Sequence, residues 1–285
     1  AGSSALADPF RAGAEASLQA RKALGGGEAS AVIVFDSLEG DAEARRRMME
    51  GIGWFFDTSL VFGCNGFGPI TRGKAISTVG VLALGEAIST ASAVAEVGGD
   101  HRACGKALGA MLRKAPLAKA GQGRVVLLLG DCHVPANDAL TQGFLDGYGT
   151  AIPIAGGSCP QGGFVYHQGA VKQGINVALL LAGSFSVQMA LGNAPSAAEV
   201  ASSAHEIAGR ACPSGHSDLL LLFDCVSRRQ ALGDRVASEL EAIERAVPSG
   251  TLFGFYGSGE IGSDGVASVP KGVGGHLAAA SLTVG

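Results

Sequence analysis

The chain has 285 residues, of which 47% are apolar and 16% are charged, so it can bury a sizeable core in one large domain or two ordinary ones. This composition excludes a disordered protein. The formal net charge is −4 and no Lys/Arg run is longer than residues 45–47, which argues against nucleic-acid binding. The apolar runs are far shorter than the roughly 20 residues of a membrane-spanning helix, so we predict no membrane span.

Three units of similar pattern follow one another along the chain. Each begins with a short apolar strand that ends in an acidic residue, continues through a helix, and returns in a second strand that runs into glycines before a third strand closes the unit. The predicted first strands are 32–36, 125–131 and 219–224, the second strands are 60–66, 152–158 and 252–257, and the third strands are 79–84, 175–181 and 277–284. Because internal repetition restricts the choice of fold, we predict an α/β protein built from three βαββ-like repeat units with mixed sheets.

Apolar periodicity and capping residues predict six helices. In chain order they are 10–24, 41–56, 101–114, 137–148, 197–211 and 229–246. Asp41 is a favourable N-cap for the second helix, and the arginines at 45–47 are predicted to form its solvated face. The stretch at residues 192–196, which contains glycine, proline and serine, is the best boundary between two associated halves, 1–190 and 191–285.

The ends of the repeated strands carry the candidate binding residues. If the units pack alike, equivalent strand ends gather in one region, and α/β proteins bind ligands at the carboxyl ends of strands. The predicted ligand-binding residues are Cys64, Asn65, Asp131, Gly157, Ser158, Arg228, Tyr256 and Glu260, and the candidate metal ligands are Cys132, His133 and Cys159.

Four of the six cysteines fall at these strand ends, namely Cys64, Cys132, Cys159 and Cys225. Cysteine often fills space in a core, so each one alone is compatible with packing. As a group beside His133 they are soft ligands that suit copper, zinc or haem iron. A catalytic thiolate needs an adjacent base, and His133 points away from Cys132 if both lie in one extended strand. Packing, a metal or haem cofactor, and cysteine catalysis therefore all stay open.

Two charged residues of the last unit pose a further alternative. Glu260, in the last glycine turn, is placed either to receive an amine or hydroxyl of a ligand or to be satisfied within the turn. Arg228 lies at the start of the last predicted helix, where a cation opposes the helix dipole. This conflict indicates an anionic partner, which is either a ligand or an acidic residue of the chain itself.

The residues of the last unit resemble those of FIST-domain proteins. Residues 223–228 contain the Cys-x-x-Arg sequence that precedes a helix, and residues 254–262 contain a Gly-Phe-Tyr-x-x-Gly-Glu-Ile turn, which His276 follows. Both sequences recur in the C-terminal half of this family. Stretches similar to its N-terminal half are 61–64, 144–147, 154–158 and 164–166, so the resemblance covers about residues 10–285.

FIST-domain proteins are regarded as sensory modules of bacterial signal transduction that bind small ligands, with amino acids proposed, and some are haem proteins that respond to nitric oxide. The resemblance implies a FIST N-like half at 1–190, a FIST C-like half at 191–285, and a pocket that contains Arg228, Tyr256 and Glu260. The chain departs from the family at residues 66–70, which lack the common Gly-Glu-Ile sequence, and in the short connection between its halves.

The sequence therefore predicts a cytoplasmic protein that senses an amino acid-like molecule, or a metal or haem cofactor, at the strand ends. Its predicted partners are the small-molecule ligand and a histidine kinase or cyclic-nucleotide enzyme, which it reaches by surface contact. Residues 1–7 are compatible with the remainder of a removed leader, so export stays open. The alternatives are a cysteine- or metal-dependent enzyme acting on a small molecule and a scaffold without a ligand.

Overall fold

The structure, a computed structural model, describes residues 1–74, 77–116, 123–194 and 196–285, so Pro195 of the predicted boundary stretch lies outside the described residues. Its strands are β1 (Gly2–Ser4), β2 (Ala29–Asp36), β3 (Val61–Asn65), β4 (Pro69–Thr71), β5 (Val79–Gly85), β6 (Ser89–Glu96), β7 (Gly123–Gly130), β8 (Ile154–Ser158), β9 (Val165–His167), β10 (Ala170–Lys172), β11 (Ile175–Gly183), β12 (Phe185–Asn193), β13 (His216–Cys225), β14 (Ser249–Gly257), β15 (Glu260–Gly262), β16 (Lys271–Val273) and β17 (His276–Val284). Its α-helices are α1 (Pro9–Ala23), α2 (Ala42–Gly53), α3 (His101–Lys114), α4 (Ala136–Tyr148), α5 (Val200–Ala211), α6 (Val226–Leu232) and α7 (Val236–Ala246).

Five of the six predicted helices are confirmed, each by one α-helix, although Ala197–Glu199 at the start of the fifth form a 3-10 helix. The Asp41 side chain caps α2 by accepting hydrogen bonds from the backbone N–H groups of Glu43 and Ala44, as predicted. The exception is the last helix, which the sequence predicts as one element over 229–246. Gly233 adopts a φ of 55°, a conformation that favours glycine, and there the chain divides into α6 and α7.

Three mixed sheets share one plan. In each sheet the first strand of a unit pairs in parallel with the second strand and antiparallel with the third. The strand orders are β1-β5-β2-β3-β9-β10 for the first sheet, β6-β11-β7-β8-β15-β16 for the second, and β12-β17-β13-β14-β4 for the third. This arrangement confirms the predicted α/β class and its repeated units.

Each sheet is completed by strands from another unit. Beyond its second strand, the first sheet receives the hairpin β9–β10 from the second unit, the second sheet receives β15–β16 from the third, and the third receives β4 from the first. On the opposite edge, β6 of the first unit joins the second sheet, β12 of the second unit joins the third, and β1 fills the same position in the first. The short exchanged strands therefore bind the three units into one body.

The glycines of the second strands have a common physical cause. Gly63, Gly156 and Gly254 hold equivalent registers opposite the first strands of their units. A Cβ added at these positions would lie 1.8, 1.9 and 1.7 Å from the carbonyl oxygen of the opposing residue. Heavy atoms do not approach so closely, so only glycine allows these parallel strands to pair at their observed spacing.

The inner faces of the three sheets form one core, and helices cover the outer faces. Phe35 of the first unit and Phe255 of the third stack with ring centroids 4.3 Å apart, and Phe223 meets both rings edge-on. Each buried phenylalanine contributes about 1.5–3 kcal/mol to stability. The helix pairs α1–α2, α3–α4 and α5–α7 pack against the outside of the first, second and third sheets. The carboxyl ends of the first and second strands are thereby held around a shared aromatic cluster.

Candidate functional site

The structure brings strand ends of all three units together. The backbone N–H of Ser158 donates to the carbonyl of Gly259, and the N–H of Ser258 donates back to the carbonyl of Ser158. The N–H of Phe67 donates to the carbonyl of Tyr256 at the neighbouring contact. The turns after the second strands are thus hydrogen-bonded to one another, as the repeat predicts.

The cysteines at these ends are buried thiols. Cys64, Cys132 and Cys159 are each at most 6% exposed, and the Cys132 Sγ lies 3.5 Å from the Ser158 Oγ. Burial raises the pKa of Cys132 to about 12, and it raises the pKa of Cys64 and of Cys159 well above the ordinary thiol value. These thiols stay protonated at neutral pH in the metal-free protein, which makes them poor nucleophiles.

The other predicted residues of the second unit are spread around a separate cleft, which we call the thiol cleft. It measures about 570 Å³ and includes His101, Asp131, Cys132 and His133 in its lining. His133 is exposed, with its Nδ1 3.2 Å from the Val134 carbonyl oxygen, while Cys132 points into the protein. Among the described residues no group of three or more His, Cys, Asp or Glu side chains is arranged to hold a metal ion. The geometry therefore gives the predicted metal set no support.

Asn65 and Gly157 serve the packing of the turns. The Asn65 Oδ1 accepts a hydrogen bond of 2.7 Å from the Phe164 N–H, so its side chain ties β3 to the stretch that leads into β9. A Cβ on Gly157 would lie 3.0 Å from the ring of Phe255, and Gly157 pairs with Glu260 in the β8–β15 ladder. Their role in ligand binding stays a prediction.

The acidic residues that end the first strands are not all equivalent. Asp36 pairs with Asn65 and Asp224 pairs with Tyr256, but Gly130, rather than Asp131, holds this register in the second unit. A Cβ on Gly130 would lie 1.8 Å from the Asn176 Oδ1, so the amide of Asn176 fills the space next to the glycine. Asp131 lies one residue further on, where its Oδ1 accepts from the Gly162 N–H.

In the first unit the equivalent acid forms a buried ion pair that the sequence analysis missed. The Arg45 Nη2 lies 3.4 Å from the Asp36 Oδ1, and the Tyr166 hydroxyl donates to the Asp36 carboxylate. Arg45 is 3% exposed, so its predicted place on a solvated face is wrong. A signal was present, because Arg45 shares helical spacing with the buried Met48 and Ile52 of α2.

In the third unit Arg228 binds two internal acids. Its Nε lies 2.8 Å from the Asp224 Oδ1 and its Nη2 donates a 2.7 Å hydrogen bond to the Glu239 Oε1. Its Nη1 also donates to the Ser203 Oγ. The Tyr256 hydroxyl donates to the second oxygen of Glu239 at 3.3 Å. Of the two partners that the sequence leaves open for Arg228, the structure therefore contains the acidic residues of the chain itself.

Glu260 completes this group, which we call the acid cluster (Asp224, Arg228, Glu239, Tyr256 and Glu260). Its Oε2 accepts a 2.9 Å hydrogen bond from the His276 N–H, whereas its buried Oε1 has no donor in hydrogen-bond geometry, and the Cys225 thiol is the polar side chain beside it. Neither oxygen of Asp224 has such a donor, since the short contact to the Arg228 Nε is an ion pair without hydrogen-bond alignment. Three buried carboxyl groups thus share one guanidinium.

The excess of acids changes the protonation of the acid cluster. Burial raises the pKa of Asp224 well above 3.8, and the negative charge of Glu239 raises it further, while Arg228 lowers it. Burial likewise raises the pKa of Glu260 well above 4.5. A buried carboxylate without a partner is unfavourable, so the cluster takes up protons or a cation.

A small cleft adjoins the acid cluster at Arg228, and we call it the acid cleft. It measures about 350 Å³, and its lining includes Asn193, Ser227, Arg228, Gly274 and Gly275. The turn at Gly274 and Gly275 leads directly to His276, whose N–H holds Glu260. A Cβ on Gly275 would meet only the Ser227 Oγ, at 4.0 Å, which leaves the space between the turn and α6 open. The acid cleft and the thiol cleft occupy equivalent places in the third and second units.

The raised pKa of Asp36 predicts that stability falls as pH rises. Burial raises this pKa from 3.8 to about 6, so the folded state holds a proton that the unfolded chain releases first. The stabilisation is complete below about pH 4 and is lost as pH rises through 6, which amounts to about 2 kcal/mol between roughly pH 4.5 and 7.5. Urea denaturation at both pH values measures it.

The control for this result is the Asp36→Asn variant, which lacks the titrating group. Burial lowers the pKa of His167, so this residue makes stability rise with pH. Both proteins retain His167, so its effect cancels in the comparison. The unfolding free energy of the natural chain should therefore decrease more between the two pH values than that of Asp36→Asn. Equal changes in the two proteins would show that Asp36 carries no such proton.

Comparison with known proteins supports a relationship for the C-terminal part. Residues 149–263 match the FIST C domain family model, and this segment includes Arg228, Tyr256 and Glu260. The match runs across residue 190, and the division into halves at that residue stays a prediction. No curated protein matches the chain. No helix in the described part of the chain is long and apolar enough to cross a membrane.

Two solved structures show similarity over nearly the whole chain. The cyanuric acid hydrolase from A. caulinodans is 12% identical with a TM-score of 0.49, and the alignment covers 99% of this chain and 97% of that one. A cyanuric acid hydrolase described as an evolutionary innovation by structural concatenation is 10% identical with a TM-score of 0.46, and the alignment covers 98% of each chain.

Proposed function

Because the chain carries a FIST C domain at residues 149–263, we propose that it is a sensory protein of bacterial signal transduction that binds a small, amino acid-like molecule in the acid cleft. The observation that carries this proposal is a pair of buried acids, Glu260 and Asp224, whose carboxyl oxygens are short of hydrogen-bond donors in a cluster that reaches the acid cleft through Arg228. A cationic amine supplies the donors and the charge that these oxygens lack.

The composition of the acid cluster supports a cation rather than an anion as the recognised group. Arg228 is 3% exposed and already pairs with Asp224 and Glu239, so acidic residues of the chain itself neutralise its positive charge. An anionic group in the same place would add a fourth negative charge to one arginine. An ammonium group instead replaces a proton at Glu260, whose Oε2 accepts from the N–H of His276, the residue that follows the Gly274–Gly275 turn.

The acid cluster links two helices, and this link suggests how binding of a ligand is sensed. Arg228 lies on α6 and Glu239 lies on α7, so a ligand that changes the charge balance between them alters the docking of both helices. Such a ligand shifts the population of states by its difference in affinity for them. We propose that a histidine kinase or a cyclic-nucleotide enzyme in the cytoplasm reads this shift by surface contact.

The other functions that the sequence leaves open draw less support from the site. A metal or haem cofactor at Cys132, His133 and Cys159 draws no support from the geometry. The two cysteines are buried, His133 is exposed, and the described residues contain no group of three His, Cys, Asp or Glu side chains arranged around a metal ion. The raised thiol pKa values argue against an enzyme that uses Cys132 or Cys159 as its nucleophile.

The proposal is tested by thermal shift and calorimetry with amino acids and simple amines, each compared with its N-acetylated form. We expect stabilisation by the amines alone, because acetylation removes the positive charge. The Glu260→Gln variant keeps the acceptor for the His276 N–H but loses the charge, and it should bind the best amine at least about tenfold more weakly.

The matched control is Glu241→Gln, an exposed position on α7 that should leave binding unchanged. Stabilisation by acetylated and free amines alike, or equal affinity in Glu260→Gln and the natural chain, would overturn the amine assignment.

A further inference from the structure

A second feature of the molecule lies away from the acid cleft, at the amino ends of β7 and β8. Two adjoining clefts of about 510 and 430 Å³ meet there and share Thr150, Ala151, Ile152 and Val266. Their walls are more apolar than polar and come from the end of α4, the start of β12 and the loop between β15 and β16, with Asp146 as the acidic side chain of the lining. We call the two clefts together the apolar groove.

The loop that forms one wall exposes aliphatic side chains to solvent. Val266 is 43% exposed and Val269 is 68% exposed, although both belong to a loop where polar residues would carry no penalty. Exposed apolar surface is typical of an interaction site where it is continuous with a groove, as these valines are with the two clefts. The loop is also held in place, since the Gln142 side chain of α4 donates to the carbonyl of Pro270.

The face beside the apolar groove is strongly basic. Helix α3 contains no acidic residue, and Lys106, Arg113, Lys114 and the nearby Arg124 are exposed. None of these four pairs with a carboxylate among the described residues, in contrast to Arg102, which binds Asp146 at 2.7 Å. We call these four residues the basic rim.

Two residues of the basic rim, Arg113 and Arg124, adjoin the apolar groove directly. The Arg113 Nη1 lies 3.3 Å from the position that a Cβ would occupy on Gly149, and Gly149 and Arg124 are both lining residues. Four uncompensated cations on a chain of net charge −4 form a local positive field. The positive charge of the basic rim therefore favours a negatively charged partner beside the apolar groove.

We propose that the apolar groove and the basic rim dock a segment of a partner protein in which apolar side chains are flanked by acidic residues. The apolar side chains fill the two clefts, and the acidic residues face Arg113 and Arg124. A second copy of this chain fits less well, because a two-fold contact centred on the groove brings the same cations opposite each other.

The loop of the apolar groove also connects this surface to the acid cleft. It joins β15, which begins at Glu260, to β16, which leads to His276. One hairpin thus carries both the carboxyl group proposed to meet the ligand and the valines proposed to meet the partner. Coupling between the two rests on the proposed function, whereas docking itself does not.

The test uses a labelled helical peptide with leucines on one face and glutamates on the other, and a control peptide in which lysines replace the glutamates. Fluorescence anisotropy should show binding of the glutamate peptide alone. The Arg113→Glu/Arg124→Glu double variant and the Val266→Ser/Val269→Ser double variant should each bind it at least about tenfold more weakly.

The matched control is Arg11→Glu/Arg47→Glu, which makes the same change in net charge at exposed positions elsewhere and should bind like the natural chain. All three variants change exposed side chains, and their melting temperatures confirm that they fold. Equal binding of both peptides, or equal losses in the control and groove variants, would overturn the proposal. So would a stable dimer in sedimentation, or binding to phosphatidylserine vesicles in place of the peptide.

Discussion

The Gly254→Ala variant should lose at least about 4 kcal/mol of unfolding free energy and unfold under conditions where the natural chain is stable. The added Cβ would lie 1.7 Å from the carbonyl oxygen of Leu222. Relief of this overlap requires β13 and β14 to move apart, and both strands carry core phenylalanines, including Phe223 and Phe255. The added methyl group therefore strains the backbone of two central strands, and few substitutions that add one methyl group destabilise a protein more.

Urea denaturation followed by circular dichroism measures this loss. The matched control is Gly209→Ala on α5, where no heavy atom lies within 4 Å of the added Cβ. There the same substitution should raise stability by about 0.5–1 kcal/mol, since alanine is a better helix former than glycine. If both variants shift the midpoint in the same direction, the close approach of the parallel strands is not as described.

The Arg228→Met variant should have the second-largest effect, a loss of about 3–5 kcal/mol near pH 7.5. Methionine keeps much of the side-chain volume but leaves Asp224, Glu239 and Glu260 without a counter-charge in a buried site. The loss should shrink near pH 5. Removal of the arginine raises the pKa of Asp224 further, so protons then neutralise the acid cluster.

The comparison for this variant is Arg46→Met. Arg46 pairs with Glu43 at 2.8 Å, but both side chains are about 60% exposed, and such pairs contribute little. Its loss should stay below about 0.5 kcal/mol at either pH. An Arg228→Met loss that is the same at both pH values would contradict the picture of three acids that share one guanidinium.

The sequence alone predicts the repeated units because hydrophobic strands and glycine turns leave a local pattern. The resemblance to FIST-domain proteins implies a pocket that contains Arg228, Tyr256 and Glu260, and the structure places Arg228 and Tyr256 on the same carboxylate, with Glu260 beside them. Their role in ligand binding stays a prediction. The motifs that carry the resemblance lie close to the ends of the third unit's strands.

Other parts of the structure leave no comparable local pattern. Strands β9 and β15 have three residues each and pair with β3 and β8 of other units, so no periodicity reveals the exchange. In the second unit the acidic residue, Asp131, lies one position beyond the register that Asp36 and Asp224 hold in theirs. A difference of one residue in strand register leaves the composition unchanged, so the sequence does not reveal it. The break between α6 and α7 depends on the positive φ of Gly233. Glycine also occurs inside helices, so its presence alone does not predict a break.

The exchange of edge strands also bears on how this molecule loses its structure. When one unit unfolds, the edge strand that it contributes leaves the sheet of another unit. The remaining strands of that sheet then have unpaired backbone N–H and C=O groups at their edge. Partial melting of one third of the chain is therefore costly for the rest. The three units should denature together as a single cooperative body, even though each repeats the same plan.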